Sequence, residues 1–318
     1  MKRVIFDTDI GIDDAMALLF LHRASQVTLE AITTVSGNAS IADTTRNALY
    51  VAERFGIDAP VYRGASGPMG PALGHGFPDF VHGKNGLGDI PLSEPQRTAG
   101  SLPAAEAIIE LAEANPGELS LVAVGRLTNV AKAMDLSPRL PTLLKEIVVM
   151  GGLFGYRSHR GNVSPVAEAN MAGDPLAADR VLGSGAQVSL VGLDVTHETI
   201  MNEAFIDTLA RTAGDAGAFI HDITRYYFNF YEGISGAREC PIHDSSAVAY
   251  LLHPALYDCV SVPVRVVSEG IAMGQSIMGE NAEAYVSDAW LERPPCNVCT
   301  AVDGPAVVQL YLDTLAEH

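Results

Sequence analysis

Short apolar runs rich in β-branched residues alternate along this chain with stretches in which apolar residues recur at i, i+3 and i+4. "RVIFD" (3–7), "VTLEAITTV" (27–35), "LSLVAVG" (119–125), "EIVVMGG" (146–152) and "QVSLVGLDV" (187–195) read as strands covered on both faces, because little in them alternates toward solvent. Between them "DDAMALLFLHRA", "SIADTTRNALYVAERFG", "PAAEAIIELAEAN", "TNVAKAMDL" and "DPLAADRVLGSG" carry the helical period. Several of these open on Asp, Ser or Thr and close near Gly or Asn, as capped helices do. Strand and helix in repetition predict an α/β fold: an open, mainly parallel sheet with helices on both faces. Residues 202–252 read as helical and rich in Tyr and Phe, 260–302 as further strands, and 304–316 as a last helix. Extra helices and strands are therefore expected at the C-terminal end. With no internal repeat and no low-complexity linker, residues 1–318 are expected to form a single domain. The stretch 64–100, dense in Gly and Pro, is the longest loop candidate, and loops of such length tend to be functional.

Composition narrows the partners. A hydrophobic share of 48% supports a sizeable core, yet no apolar run approaches the roughly 18 residues of a membrane span. The opening "MKRVIFD" meets an aspartate before any secretory apolar region develops, so a cytoplasmic location is expected. The formal net charge of −18, with no basic patch, disfavours nucleic acid and membrane surfaces as partners. The four cysteines are too few for a disulfide scaffold, and "CNVC" (296–299), with no second pair at zinc-ribbon spacing, is expected to be strand sequence.

The densest chemistry lies in "VIFDTDIGIDDAMALL", where Asp7, Asp9, Asp13 and Asp14 fall between two apolar runs. This is the first strand-to-helix turn, at the carboxyl edge where open α/β sheets place their sites. Capping and the helix dipole account for Asp13 or Asp14. Asp7 and Asp9, two apart at a strand end, point to one side and repel unless protonated or neutralised. A divalent cation is the simplest remedy. Carboxylate oxygens suit Mg²⁺ or Ca²⁺, and an all-oxygen site with few waters favours the larger calcium ion. In "CPIHDSSAVAYLL", His243 and Asp244 open a helix and place an acid-base group beside a carboxylate. In "GNVSPVAEANMAGDPLAAD", Asn162, Glu168 and Asn170 precede a helix expected to be capped by Asp174, and suit hydrogen bonds to sugar hydroxyls.

Together these segments resemble the inosine-uridine-preferring nucleoside hydrolase family. The resemblance runs through "DTDIGIDDAMAL", "ITTVSGN" ending at Asn38, "HGKNGLG" from His82, "VGRLTN" (124–129), "VVMGG" around Met150, "GNVSPVAEAN" and "PIHDSSAVAY". It implies a calcium-dependent N-ribohydrolase that acts on a small-molecule nucleoside and assembles as a homodimer or homotetramer. Asp9 would be a Ca²⁺ ligand and the base for the attacking water. Asp14, Asp244 and the Val124 carbonyl would be further ligands, with Asp7 supporting them from behind. Asp13, Asn38, Met150, Asn162, Glu168 and Asn170 would hold the ribose, and His243 would protonate the departing base. His82 and one ring of "RYYFNFY", Tyr227 foremost beside Tyr226 and Tyr231, are carried as further substrate-binding candidates. The chain departs from the family at Arg126, where proline is usual, and at Ala169, where phenylalanine is usual. These imply a reshaped turn at Val124 and a wider pocket.

Two rivals remain. A Mg²⁺-dependent phosphohydrolase of the haloacid-dehalogenase type would use Asp7 as nucleophile in a D-x-D strand end. That type expects Thr or Val where Gly11 stands, and a downstream lysine that is not well placed here. A calcium-stabilised nucleoside or sugar binding protein would share every binding residue, and only His243 and a free Asp9 argue against it.

Overall fold

In the computed structural model, residues 1–73 and 76–316 are described. The strands are β1 (Lys2–Thr8), β2 (Val27–Thr34), β3 (Val61–Arg63), β4 (Leu119–Ala123), β5 (Glu146–Met150), β6 (Val188–Val191), β7 (Ile200–Asn202), β8 (Glu239–Pro241), β9 (Tyr257–Val266), β10 (Ser276–Met278) and β11 (Pro295–Val302). The helices are α1 (Ile12–Arg23), α2 (Ile41–Arg54), α3 (Asp79–His82), α4 (Ala104–Ala114), α5 (Thr128–Leu136), α6 (Leu140–Leu143), α7 (Ala169–Gly173), α8 (Pro175–Leu182), α9 (Leu193–Thr196), α10 (Glu203–Thr212), α11 (Gly214–Ser235), α12 (His243–Leu252) and α13 (Gly304–Ala316).

Nine strands form one sheet in the order β10-β9-β11-β6-β5-β4-β1-β2-β3, and β7 pairs with β8 apart from it. From β3 across to β11 all neighbours run parallel, whereas β9 and β10 add an antiparallel margin. The chain winds outward from β1 to β3, then returns to β4 and winds the other way. Between β1 and β4 the connections diverge to opposite faces, which opens a crevice beyond the carboxyl ends of the strands.

Apolar character without alternation puts the central strands between two cores. Val4, Phe6 and Val122 pack into the cluster under α1, α2, α11 and α12, while Ile5, Leu121 and Ala123 pack into the cluster under α4, α5 and α8. All six are fully buried. Helix starts follow the expected chemistry in part: Ser40 caps α2 through the Asp43 N–H, and Asp174 caps α8 through the Ala177 N–H. Among the described residues, no helix is long and apolar enough to cross a membrane.

Three expectations are refined. The strand read as 187–195 ends at Val191, because Gly192 comes so close to the Gly152 carbonyl that a Cβ would stand 2.7 Å from it, and the backbone turns into α9. The helical stretch 202–252 is interrupted by β8, which pairs with β7. Cys296 and Cys299 do lie in a strand, and their odd spacing sends them to opposite cores.

The last helix locks the first. Tyr311 of α13 is fully buried, its ring 4.9 Å from Phe20, and its hydroxyl donates to the Met16 carbonyl of α1 at 3.2 Å. Removing only the hydroxyl, in Tyr311→Phe, should cost about 1 kcal/mol of unfolding free energy. Tyr311→Ala, which also leaves a cavity, should cost about 3–5 kcal/mol. Urea titration of both variants checks this, and equal losses would show that the ring does not fasten α13 to α1.

Candidate active site

The crevice between β1 and β4 gathers carboxylates from three directions. Asp7, on β1, sits level with Thr33 of β2 and Ala123 of β4. Its Oδ1 accepts from Thr33 Oγ1 at 2.6 Å and from Asn129 Nδ2 at 2.8 Å. Burial raises its pKa to about 6 despite those donors. Asp9 follows the strand. Its Oδ2 accepts the Asn38 N–H at 2.8 Å, and its Oδ1 is buried without a hydrogen-bond partner. Two glycines make that position possible: a Cβ on Gly37 would stand 1.8 Å from Asp9 Oδ2, and one on Gly125 would stand 2.7 Å from Oδ1.

Asp14 does more than cap α1. Its oxygens accept from Thr8 Oγ1 (2.6 Å), Gly11 N (2.8 Å), Asn38 Nδ2 (2.8 Å) and Asp9 N (3.2 Å). Asn38 thus ties Asp9 to Asp14. Asp13 accepts the Tyr227 hydroxyl at 3.2 Å on one oxygen, while the other is buried and unpaired. Asp244 enters from the first turn of α12, which begins without a side-chain cap. Ligand oxygens of Asp13, Asp14 and Asp244 lie within 4.8 Å of one another.

Burial raises the pKa values of Asp9, Asp13 and Asp244, and repulsion among the carboxylates raises them further, with Asp13 pushed to about 7. That rise means a few kcal/mol working against ionisation at Asp13, since each pH unit is worth about 1.4 kcal/mol. The hydrogen bond from Tyr227 lowers the value, and about 7 is what remains with that bond in place. The donors are all oxygen, and Asp7 Oδ2, Asp9 Oδ1 and Asp13 Oδ1 are buried without a partner, so the group of Asp13, Asp14 and Asp244 could hold a hard divalent cation, with Asp9 outside that closest set. Arg126 supplies some positive charge and opposes the rise at Asp9, although its side chain lies against Gly173.

Glu168 and Asn170 are placed by α7. Glu168 caps that helix: its oxygens accept the N–H groups of Asn170 (2.7 Å), Met171 (3.0 Å) and Gly152 (3.1 Å), and burial raises its pKa. Asn170 Nδ2 donates to the carbonyls of Val124 (2.8 Å) and Met150 (3.2 Å), which fixes the amide and leaves its oxygen to accept. The Val124 carbonyl therefore already has one partner and keeps one lone pair. Asn162 is exposed, and its side-chain oxygen accepts the Ala169 N–H at 2.9 Å.

His243 begins α12 and is buried. Its Nδ1 meets Thr196 Oγ1 at 2.7 Å and its Nε2 meets the Tyr231 hydroxyl at 2.9 Å. Tyr231 lies 3.5 Å from the Tyr227 hydroxyl, so hydroxyl groups link Asp13 to the imidazole. Burial, with His197 edge-on at 5.2 Å, holds the His243 pKa well below the usual range. His82 Nδ1 accepts the Ile12 N–H at 3.2 Å, its ring lies 5.8 Å from that of Tyr227, and burial lowers its pKa to about 4. Of the three tyrosines named from the sequence, Tyr227 and Tyr231 join this chain and Tyr226 instead bonds the Asp79 carbonyl. Thr33, Asn129 and Thr196 join the site without being candidates from the sequence. Asn129 had a signal in "VGRLTN", whereas Thr196 lies one position beyond the segment 187–195 that reads as strand.

Buried carboxylates gathered at the switch point of a doubly wound sheet, three of them with oxygens within 4.8 Å of one another, describe an enzyme site of the metal-assisted type. The family model for "Inosine-uridine preferring nucleoside hydrolase" matches residues 4–309, and this chain belongs to that family. It is similar to "Uridine nucleosidase 1" of Arabidopsis thaliana, at 36% identity over 97% of this chain and 91% of the relative. Among solved structures, a plant nucleoside hydrolase, the PpNRh1 enzyme, superposes with a TM-score of 0.94 at 32% identity, covering 100% of this chain and 99% of that one. A purine-preferring ribonucleoside hydrolase from Gardnerella vaginalis superposes at 0.90 with 30% identity, covering 99% and 98%. The protein is a nucleoside N-ribohydrolase, and the phosphohydrolase alternative finds no support.

Because the folded pKa values of Asp7 and Asp13 are about 6 and about 7, above the ordinary carboxylate value of 3.8, the metal-free fold binds more protons than the unfolded chain between those limits. Both groups therefore stabilise the metal-free protein as pH falls from about 7 toward 4, and that contribution is lost as pH rises through their folded pKa values. Asp9 and Asp244, raised in the same direction, also hold protons in the metal-free fold, and a divalent cation bound by them must displace those protons. Added cation should raise Tm more near pH 8 than near pH 5.5. A calorimetric scan at both pH values checks this, and an equal or reversed shift would show that these carboxylates do not hold it.

Proposed function

We propose that the crevice cleaves the N-glycosidic bond of purine and pyrimidine ribonucleosides with calcium as cofactor, Asp9 as base and His243 as the source of the leaving-group proton. The unpaired, buried Asp9 Oδ1, fixed between Gly37 and Gly125, is the observation that carries the reading. Asp9, Asp14, Asp244 and the Val124 carbonyl would hold the ion. When bound, it supplies the charge that keeps these carboxylates ionised and makes a nearby water somewhat more acidic.

Asp9 then takes a proton from the attacking water, with its other oxygen held by the Asn38 N–H. Asp13, Asn38, Met150, Asn162, Glu168 and Asn170 line the ribose side, where fixed dipoles favour positive charge growing on the ring as the bond breaks. The Asn170 amide, locked by two carbonyls, presents an acceptor to a sugar hydroxyl. At the other end Tyr231 occupies His243 Nε2, so a proton passes to the base from the imidazole or through that hydroxyl. His82 and Tyr227, ring against ring, border the base. Asp7 stays behind the strand end and steadies β1 against β2 and α5.

The assembly proposed is a single-domain homodimer or homotetramer in the cytoplasm. Ile271, Tyr285 and Val286, on the segments flanking the edge strand β10, are exposed apolar side chains that contact between copies would cover.

Incubation with inosine, uridine and other nucleosides, with free ribose as the readout, tests the activity, and metal analysis of the purified protein tests the ion. Zinc, or activity unmoved by a chelator, would overturn the calcium assignment. Asp9→Asn should abolish hydrolysis while Asp7→Asn is milder, and the opposite order would remove Asp9 as base. For His243→Ala, kcat on inosine should fall by about 10²- to 10⁴-fold. On p-nitrophenyl riboside, whose leaving group needs no proton, it should fall far less. Equal losses on both would mean that His243 shapes the site without delivering a proton.

A further inference from the structure

Outside the crevice, Cys259 of β9 and Cys299 of β11 stand directly opposite each other in antiparallel register, with their Sγ atoms 3.3 Å apart. We propose that they form a redox-active dithiol, a modification site that exchanges with small disulfides of the glutathione type and closes into a cross-strand cystine.

Three features support the assignment. The backbone geometry suits it, because opposed residues of an antiparallel pair have Cα atoms about 4.5–5.5 Å apart, inside the roughly 4.4–6.8 Å that disulfides span. Access is asymmetric in the way exchange requires. β10 pairs with β9 only at Val264–Val266, so at Cys259 the sheet has an open edge and that thiol is exposed, whereas Cys299 is fully buried. The thiols are also unequal. The hydrogen bond from Cys299, and a second from the Tyr250 hydroxyl, hold the Cys259 pKa below the usual thiol range, while the same contact and burial push Cys299 up. Tyr250 is anchored by Ser189 Oγ at 3.1 Å. The other two cysteines take no part: Cys296 lies in the opposite core, and Cys240 is buried under the carboxylates.

The exchange runs in two displacements. The Cys259 thiolate attacks one sulfur of the small disulfide, forming a mixed disulfide and releasing one thiolate. Cys299 then gives up its proton and attacks the Cys259 sulfur, releasing the second thiolate. Two protein thiols are oxidised to one cystine, one small disulfide is reduced to two thiols, and the two protons end on the released thiols. The bond closes the loop containing β10, so the oxidised protein resists unfolding more than the reduced one.

The test treats the reduced full-length protein with oxidised glutathione, blocks remaining thiols with an alkylating agent and maps the peptides. The expected product joins the Cys259 and Cys299 peptides, with two glutathione thiols released per chain and a Tm several degrees above the reduced form. Cys299→Ser should stop at a stable glutathione adduct on Cys259, and Cys259→Ser should react at least about tenfold more slowly. Linkage through Cys240 or Cys296 would overturn the proposal. So would glutathione left on Cys259 of the wild type, or a Cys259→Ser variant that reacts at the parental rate. Both substitutions lie outside the hydrolytic site, so retained nucleoside hydrolysis reports that each variant is folded.

Discussion

Repulsion among Asp9, Asp13, Asp14 and Asp244, buried together at one strand edge, is the constraint to which the surrounding structure answers. In water these groups would be screened; in the crevice the same charges interact through a medium with few dipoles. The fold meets the repulsion with donors wherever a donor fits. Asp14 takes four, Asp7 takes two, and Asn38 spans Asp9 and Asp14. Where no donor fits, an oxygen is left bare, at Asp7, Asp9 and Asp13.

Holding such a group open requires a stiff frame, and the parallel sheet provides one. β1 is hydrogen-bonded on both sides, and its apolar residues are divided between two cores. α1, which presents Asp13 and Asp14, packs against α12, which presents His243 and Asp244. Neither helix can turn without breaking core contacts on the face away from the site, so the carboxylates cannot relieve their repulsion by moving apart.

Much of this was legible in the sequence because its signals are local. The period of apolar residues marks the central strands and helices, and four aspartates between a strand and a helix place a charged site at the sheet edge before any tertiary contact is known. What stayed hidden depends on chain segments far apart. Asn129 reaches Asp7 across 122 positions, and only the neighbouring of β1 and β4 brings them together. Cys299 belongs with Cys259, 40 positions away, rather than with Cys296 in the same short motif, because strand pairing decides the contact. Thr196 was passed over for a different reason. "VSLVGLDV" continues its apolar character past the end of β6, and only the close approach of Gly192 to Gly152 turns the backbone into α9.

Hydroxyl groups link the His243 imidazole to the carboxylate cluster. Thr196, His243, Tyr231, Tyr227 and Asp13 form a run of contacts from α9 to the carboxylate cluster, and each hydroxyl can donate in only one direction at a time. When Tyr227 donates to Asp13, its oxygen is free to accept from Tyr231, and His243 can then hold its proton on Nε2 and donate to Tyr231. When Tyr231 donates to His243 instead, the proton on the imidazole moves to Nδ1 and Thr196 accepts it. Neutralising Asp13, whether by a proton or by a cation, weakens its pull on Tyr227 and shifts the balance between these two patterns. The charge state of the carboxylates thus bears on which nitrogen of His243 carries hydrogen, although no carboxylate touches that ring.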